Sequence, residues 1–397
     1  MSHNAGFSLF EVIILIGIAQ GIIISAMITL RKRQQLNKLL LLAVLITFNL
    51  LGVKILIHTT GLWDSVYFRY FPLAFELLIQ PLVWLYIHSL VYVPFKLNRK
   101  HWPHFVPFAI SMGYALTVYM ATLSTMDLNE KDAIANGLSF NLVKQIEEVL
   151  AIFSAIIYWW MGARLVHQYR QWLFDYTSTT DYPTYNWLRR LSLLCFILIG
   201  IWGLTFLLEN FSIFQIRPFV YLQVFFIYLS SLVYYLGFRG YMIADNTVIL
   251  AKLSQQQLLS FLPAQRSGPV SPVSNDQSSK QNLLKEQIEK VLIEQKLYLD
   301  PELTIQKLAD VLGSSSSVVS KVINQSFGKS FRTLVNEYRV EAVKRMLDTP
   351  QSQNLSLLGI AFECGFNSEA SFYRIFKSIA GISPKTYVQQ NKHFKQE

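Results

Sequence analysis

Six polar residues stand inside stretches that are otherwise aliphatic and aromatic: Lys54, Glu76, Gln80, Lys144, Glu147 and Glu148. Away from water such groups are costly unless something pairs with them, so they are the first place to look for chemistry. Glu76 and Gln80 are four residues apart, hence on one helix face, just before Pro81. Two readings follow. The set forms a polar pocket that takes a small ligand or reports the state of the envelope, or it closes on itself through pairs such as Lys54 with Glu76 and Lys144 with Glu148. Catalytic chemistry has no equivalent foothold: the chain lacks HExxH, GxSxG, Walker and kinase glycine-loop patterns. His101 and His104 flank Trp102 and Pro103 and read as interfacial, while Cys195 and Cys364 are too far apart in sequence for a disulfide framework or zinc cluster. No catalytic residue, metal or cofactor is expected, and the chain is not read as an enzyme.

The elements that carry these residues are apolar runs. Of 397 residues 52% are hydrophobic and only 15% charged, against about 25% charged in an ordinary globular chain. Seven apolar runs, at about 7–30, 39–57, 72–93, 105–123, 142–161, 191–209 and 219–238, are each close to the ~20 residues needed to cross a ~30 Å hydrocarbon layer. The fold class expected is all-α: a seven-helix transmembrane bundle followed by a domain with two helix-turn-helix units.

Loop charges orient the bundle. Arg31, Lys32, Arg33 and Lys38 follow the first run, Lys96, Arg99 and Lys100 the third, and Arg164, Arg170, Arg189 and Arg190 the fifth. The intervening loops carry Asp64 and then Asp127, Glu130, Lys131 and Asp132. Basic loops stay inside, which puts the N-terminus outside and the C-terminus in the cytoplasm. The first run has its basic cluster after it, unlike a cleaved signal peptide. In this orientation Glu11, Lys54, His58, Glu76, Gln80, Lys144, Glu147, Glu148, Glu209, Arg217 and Gln223 all fall toward the outer side, and His88 is the exception.

Beyond the bundle (1–240), residues 241–262 read as a juxtamembrane amphipathic helix and 263–280, rich in Pro, Ser, Gly and Gln, as a flexible linker. Residues 281–397 change character, with 15 Lys/Arg against 12 Asp/Glu. Leu284, Ile288, Val291, Leu292 and Leu297 form one apolar stripe. Thr304 then caps a helix that buries Ile305, Leu308, Ala309 and Leu312, and Gly313 closes it. A second helix buries Val318, Val319 and Val322 and turns Ser316, Ser317, Ser320 and Lys321 outward. After a long connecting helix the pattern repeats: Ile360, Ala361 and Phe366 inside, Gly365 at the turn, Phe372, Ile375 and Phe376 buried, and Ser368, Glu369, Ser371 and Arg374 outward. Two such readers about 34 Å apart fit consecutive major-groove turns.

The motifs "LTIQKLADVLGSSSSVVSKVIN", "FGKSF", "NEYRVEAVKRML", "IAFECGF", "SFYRIFK" and "GISPKTY" make residues 297–388 resemble the DNA-binding domain of the AraC/XylS family of bacterial transcription regulators. The apolar half resembles, in architecture, the membrane-bound members of that family. The resemblance implies base reading by the two outward faces. Lys321, Glu369 and Arg374 carry most of it here, because Ser is an undiscriminating partner and Glu accepts from cytosine. It also implies promoter DNA as partner, a homodimer, RNA polymerase as a further candidate, and placement in the bacterial inner membrane. Glu369 and Ala370 stand where family members often carry Gln or Ser, and Val388 stands where the family's closing pair has Arg. The expected function is a membrane-embedded regulator whose bundle, in contact with lipid, senses an unknown small ligand or envelope signal and controls pairing of the readers. The alternative is a transporter or plain membrane anchor with an accessory DNA-binding domain.

Overall fold

The computed structural model describes residues 7–30, 35–92, 95–178, 182–211, 219–254, 275–349 and 355–394. Among them there is no β-strand, and the chain divides into two compact units. One comprises residues 1–166 with 184–259, the other 167–183 with 260–397.

The first unit is built on α1 (Leu9–Thr29), α2 (Leu36–Thr59), α3 (Glu76–Val91), α4 (Val106–Thr122), α5 (Leu128–Gly137), α6 (Phe140–Tyr176), α7 (Pro183–Phe211) and α8 (Phe219–Ser254). Among the described residues six helical stretches are long and apolar enough to cross a membrane, α4 reaching that length together with the 3-10 turns from Arg99 that precede it. A seventh apolar helix, α3, is shorter, with 16 residues, and rises about 24 Å at ~1.5 Å per residue. Its run starts late because Phe71–Phe75, which includes Pro72, is not helical.

The inner face of this unit is closed by small residues. A side chain at Gly17 would strike Ser230 of α8, and one at Gly237 would strike Ile24 of α1, so backbone proximity replaces bulky packing. Facing outward are Ile23, Phe153, Ile157, Phe196 and Leu204, all exposed. That is far more apolar surface than a water-soluble domain presents.

Between α4 and α6 the acidic loop folds into α5, an element the charge pattern did not announce. Arg69 holds Asp132 with a two-pronged contact, Nε to Oδ1 at 2.9 Å and Nη2 to Oδ2 at 2.7 Å, and the Tyr70 hydroxyl donates to Oδ1 at 2.8 Å. The Lys131 ammonium, buried, donates to the Thr122 carbonyl at 2.6 Å.

Two expected boundaries move. Residues 241–254 continue α8 without a break rather than starting a separate helix; 255–262 lie outside the described residues, as does 263–274 of the linker. Residues 275–280 are already helical, in α9 (Asn275–Glu294).

The second unit continues with α10 (Ile305–Val311), α11 (Ser316–Val322), α12 (Phe331–Leu347), α13 (Leu357–Glu363), α14 (Glu369–Ala380) and α15 (Pro384–Phe394). Its core gathers Ile288 and Leu292 of α9, Leu308 and Ala309 of α10, Phe331, Val335 and Val343 of α12, and Phe372 and Phe376 of α14. Residues 167–183, the end of α6 and its following loop, belong to this unit as well.

Candidate nucleic-acid interface and bundle cavity

The second unit contains one structural phrase written twice. Thr304 and Ser356 cap α10 and α13, each accepting from the backbone N–H three residues on. Each helix then ends in the same paired closure. Ser314 N–H donates to Ala309 O and Gly313 N–H to Asp310 O; Phe366 N–H donates to Ala361 O and Gly365 N–H to Phe362 O. Both glycines have positive φ, 60° and 87°, as this closure demands. Every matching pair is 52 residues apart. Gly365 is also the tighter site, since a Cβ there would lie 2.5 Å from the Tyr298 carbonyl oxygen.

The second helix of each unit presents the outward face. On α11, Ser317 and Lys321 are exposed and Ser320 is half-buried. Val318 is 46% exposed, correcting the expectation that it is buried. Ser316 is partly spoken for, as its hydroxyl donates to the Gln306 side chain of α10. The exposed stripe runs on through Asn324 and Gln325, in a short π-helical segment, Ile323–Phe327, that closes at Gly328 with φ 64°.

On α14, Glu369 and Arg374 are exposed as expected. Ser371 is not: it is 3% exposed, with its hydroxyl donating to the Ser368 carbonyl at 2.9 Å. Ser368 itself is the cap of α14, accepting from the Ser371 N–H. The outward placing of Ser371 is therefore corrected, because the capped first turn folds both serines onto each other. Ala370 and Lys377 are exposed on the same side as Arg374. Lys377 was missed, although its spacing of three from Arg374 was the available signal.

Between the two readers, Arg339 of α12 is 2% exposed. It donates from Nε to the Tyr298 carbonyl at 2.7 Å and from Nη2 to the Asp300 carbonyl at 2.7 Å. The same guanidinium reaches the loop after α6, donating to Ser178 Oγ at 2.9 Å and Ser178 O at 3.3 Å. Ser178 is fully buried and in turn donates from N–H and hydroxyl to the Leu303 carbonyl. Alongside, the Arg332 guanidinium stacks 4.5 Å from the Phe174 ring centroid and 5.4 Å from that of Tyr182. Burial pulls Arg339 down to about 10, so it stays cationic at neutral pH. Nothing in the composition of residues 167–183 signalled this engagement.

In the first unit, Lys54, Glu76, Gln80, Glu147 and Glu148, from α2, α3 and α6, line one cavity of about 680 Å³, together with Lys144 and His58. Lys54 pairs with Glu76. Lys144 pairs with Glu147 at 2.6 Å, one residue earlier than the Glu148 partner expected from the sequence, and Glu147 also accepts from Ser111. Gln80 donates to the Ala151 carbonyl at 3.5 Å. Its Oε1 and the Glu76 Oε2 are buried without a hydrogen-bond partner.

The family model described as "Helix-turn-helix domain" matches residues 308–390. An "Uncharacterized HTH-type transcriptional regulator" of Staphylococcus aureus is 32% identical over 139 residues, which is 35% of this chain and 18% of that protein. The "Transcriptional activator NphR" of a Rhodococcus species is 32% identical over 100 residues, 25% of this chain and 28% of that protein. The chain thus spans less than a third of either relative. No solved structure matches it.

Proposed function

From a C-terminal helix-turn-helix domain of the AraC type, we propose that this chain is a membrane-embedded transcription regulator. Its paired readers bind double-stranded promoter DNA, and its apolar bundle senses a small ligand or envelope signal. The observation that carries the reading is the duplicated capped-and-closed helix pair at Gly313 and Gly365, each followed by a helix with an exposed polar face. A helix so presented meets the major groove. Ser317, Lys321, Glu369, Arg374 and Lys377, all exposed, are the side chains that reach it in this reading. The Staphylococcus and Rhodococcus relatives, named as a transcriptional regulator and a transcriptional activator, support the same role.

The charged loops support an inner-membrane placement with the N-terminus outside and the readers in the cytoplasm, with α3 counted as a crossing. The convergence of Lys54, His58, Glu76, Gln80, Lys144, Glu147 and Glu148 on one cavity supports sensing. The path through residues 240–280, acting by changes in dimer pairing, is the route by which the bundle influences the readers in this reading. RNA polymerase is the next partner that an activator would contact.

The test uses the full chain in lipid nanodiscs with DNA from upstream of its own gene. A retarded complex that weakens steeply with salt is expected; no complex at any salt overturns the reading. A second reading, transport with an accessory DNA-binding domain, is favoured by the carboxylates of the cavity. Substrate uptake by vesicles holding the bundle would establish it.

A further inference from the structure

The cavity of the first unit is polarised along its length. Lys54, His58, Glu76, Gln80, Lys144, Glu147 and Glu148 line it where α2 ends and α3 and α6 begin. The remaining wall is apolar and aromatic, with Phe48, Ile87, Trp159, Phe225 and Phe226 among its residues. A site with one polar pole and one oily pole accepts an amphiphile, and about 680 Å³ is the size of a small-molecule site.

The polar pole also states which head group it accepts. Both cations are committed, Lys54 to Glu76 and Lys144 to Glu147. Among the described residues that line the cavity, the two buried polar atoms left without partners are both acceptors, Glu76 Oε2 and Gln80 Oε1, and Gln80 is only 7% exposed. Among the described residues of the cavity wall, the carboxylates of Glu76, Glu147 and Glu148 face the ammonium groups of Lys54 and Lys144. A buried acceptor without a donor is costly, and an anionic head would add repulsion without satisfying either one. Resting on the sensing role proposed above, we infer that the cavity binds an amphiphilic primary amine, with its ammonium donating to Gln80 Oε1 and Glu76 Oε2 and its hydrocarbon body lying against Phe48, Trp159 and Phe225. The aromatic wall next to the pole adds cation–π attraction for the same charge. The amine is either a free long-chain amine or the ethanolamine head of a membrane lipid.

The full chain in phosphatidylcholine nanodiscs is titrated with octylamine, octanol and octanoate, read by the emission of tryptophans that include Trp84, Trp159 and Trp202 of the cavity wall. Octylamine gives a saturable change and octanoate none. The double variant Gln80→Leu with Glu76→Gln weakens octylamine by about tenfold or more, the loss of a charge-assisted hydrogen bond. No saturable response, or equal responses to octylamine and octanoate, overturns the inference. Where the double variant fails to fold, Gln80→Glu serves instead: the added carboxylate tightens octylamine binding, and an unchanged affinity overturns the inference. In nanodiscs containing phosphatidylethanolamine, a shift of the octylamine curve to higher concentration assigns the site to the lipid head group, and an unshifted curve to a free amine. The readout needs no DNA, so its failure leaves the promoter reading standing, and loss of promoter binding leaves this inference standing.

Discussion

Arg339 and Ser178, 161 residues apart in sequence, share a buried hydrogen bond of 2.9 Å from Nη2 to Oγ. The guanidinium therefore ties together the stretch before the first reader, the connecting helix and the loop after α6. Replacing it leaves the Tyr298 and Asp300 carbonyls and the Ser178 hydroxyl short of donors. Arg339→Met is expected to destabilise the second unit by about 3–5 kcal/mol, in line with removal of one partner from a buried charged network. Ser178→Ala costs about 1 kcal/mol. Denaturant melts of the full chain followed by limited proteolysis of the C-terminal region measure both.

The two turn glycines are not equivalent. Gly313 has positive φ with open space where a Cβ would go, whereas a Cβ at Gly365 would meet backbone oxygen at 2.5 Å. Gly313→Ala should cost about 1–2 kcal/mol, the left-handed penalty alone. Gly365→Ala adds a clash with immovable backbone and should cost about 3 kcal/mol or more. Equal losses in paired thermal melts would contradict this geometry.

Within α14, stability and readout separate by position. Ser368→Ala removes the helix cap and should cost about 1 kcal/mol of stability. Arg374→Ala and Lys377→Ala remove exposed cations and should lower DNA affinity with a shallower salt dependence, by about one unit of slope for each phosphate left without its cation. Glu369→Gln should alter base preference. Mobility shifts across a salt series, with a melt of each variant, distinguish these outcomes.

Cys364 is buried against the second helix pair, and burial pushes its thiol up to about 11. Since the thiolate is the reactive form, maleimide should label Cys364 slowly at pH 8 in the folded chain and rapidly in denaturant. Mass spectrometry of the labelled peptide reports the rate. Arg339→Met should accelerate labelling by loosening the same unit.

The Arg69 hydrogen bond holds the Asp132 carboxyl below its usual range, assisted by Tyr70. A carboxylate depressed on folding stabilises above its unfolded value of ~4, and that contribution is lost as pH falls through the folded value. Wild type should therefore resist proteolysis between α4 and α6 better than Asp132→Asn at pH 7. The difference should vanish in strong acid.

Much of this was legible in the sequence because the signals are local. Capping residues at Thr304, glycines with fixed turn geometry at Gly313 and Gly365, and unbroken apolar runs each declare themselves within a few residues. What escaped was set by packing. Ser371 looks like an outward serine by spacing, yet the Ser368 cap pulls it inward. Val318 looks like core, yet α11 turns it to the surface. The Arg339–Ser178 bond links residues too distant for any pattern, and α3 is shortened by the backbone before Glu76 rather than by its composition.

That shortness has a mechanical consequence. A helix of about 24 Å placed in a layer of about 30 Å leaves a hydrophobic mismatch, met by thinning the bilayer or drawing the flanking segment inward. In α3 the N-terminal end is Glu76, with Gln80 one turn in. Under the membrane placement proposed above, bilayer thickness, set by acyl-chain length and temperature, would pull on the same residues that shape the polar end of the cavity.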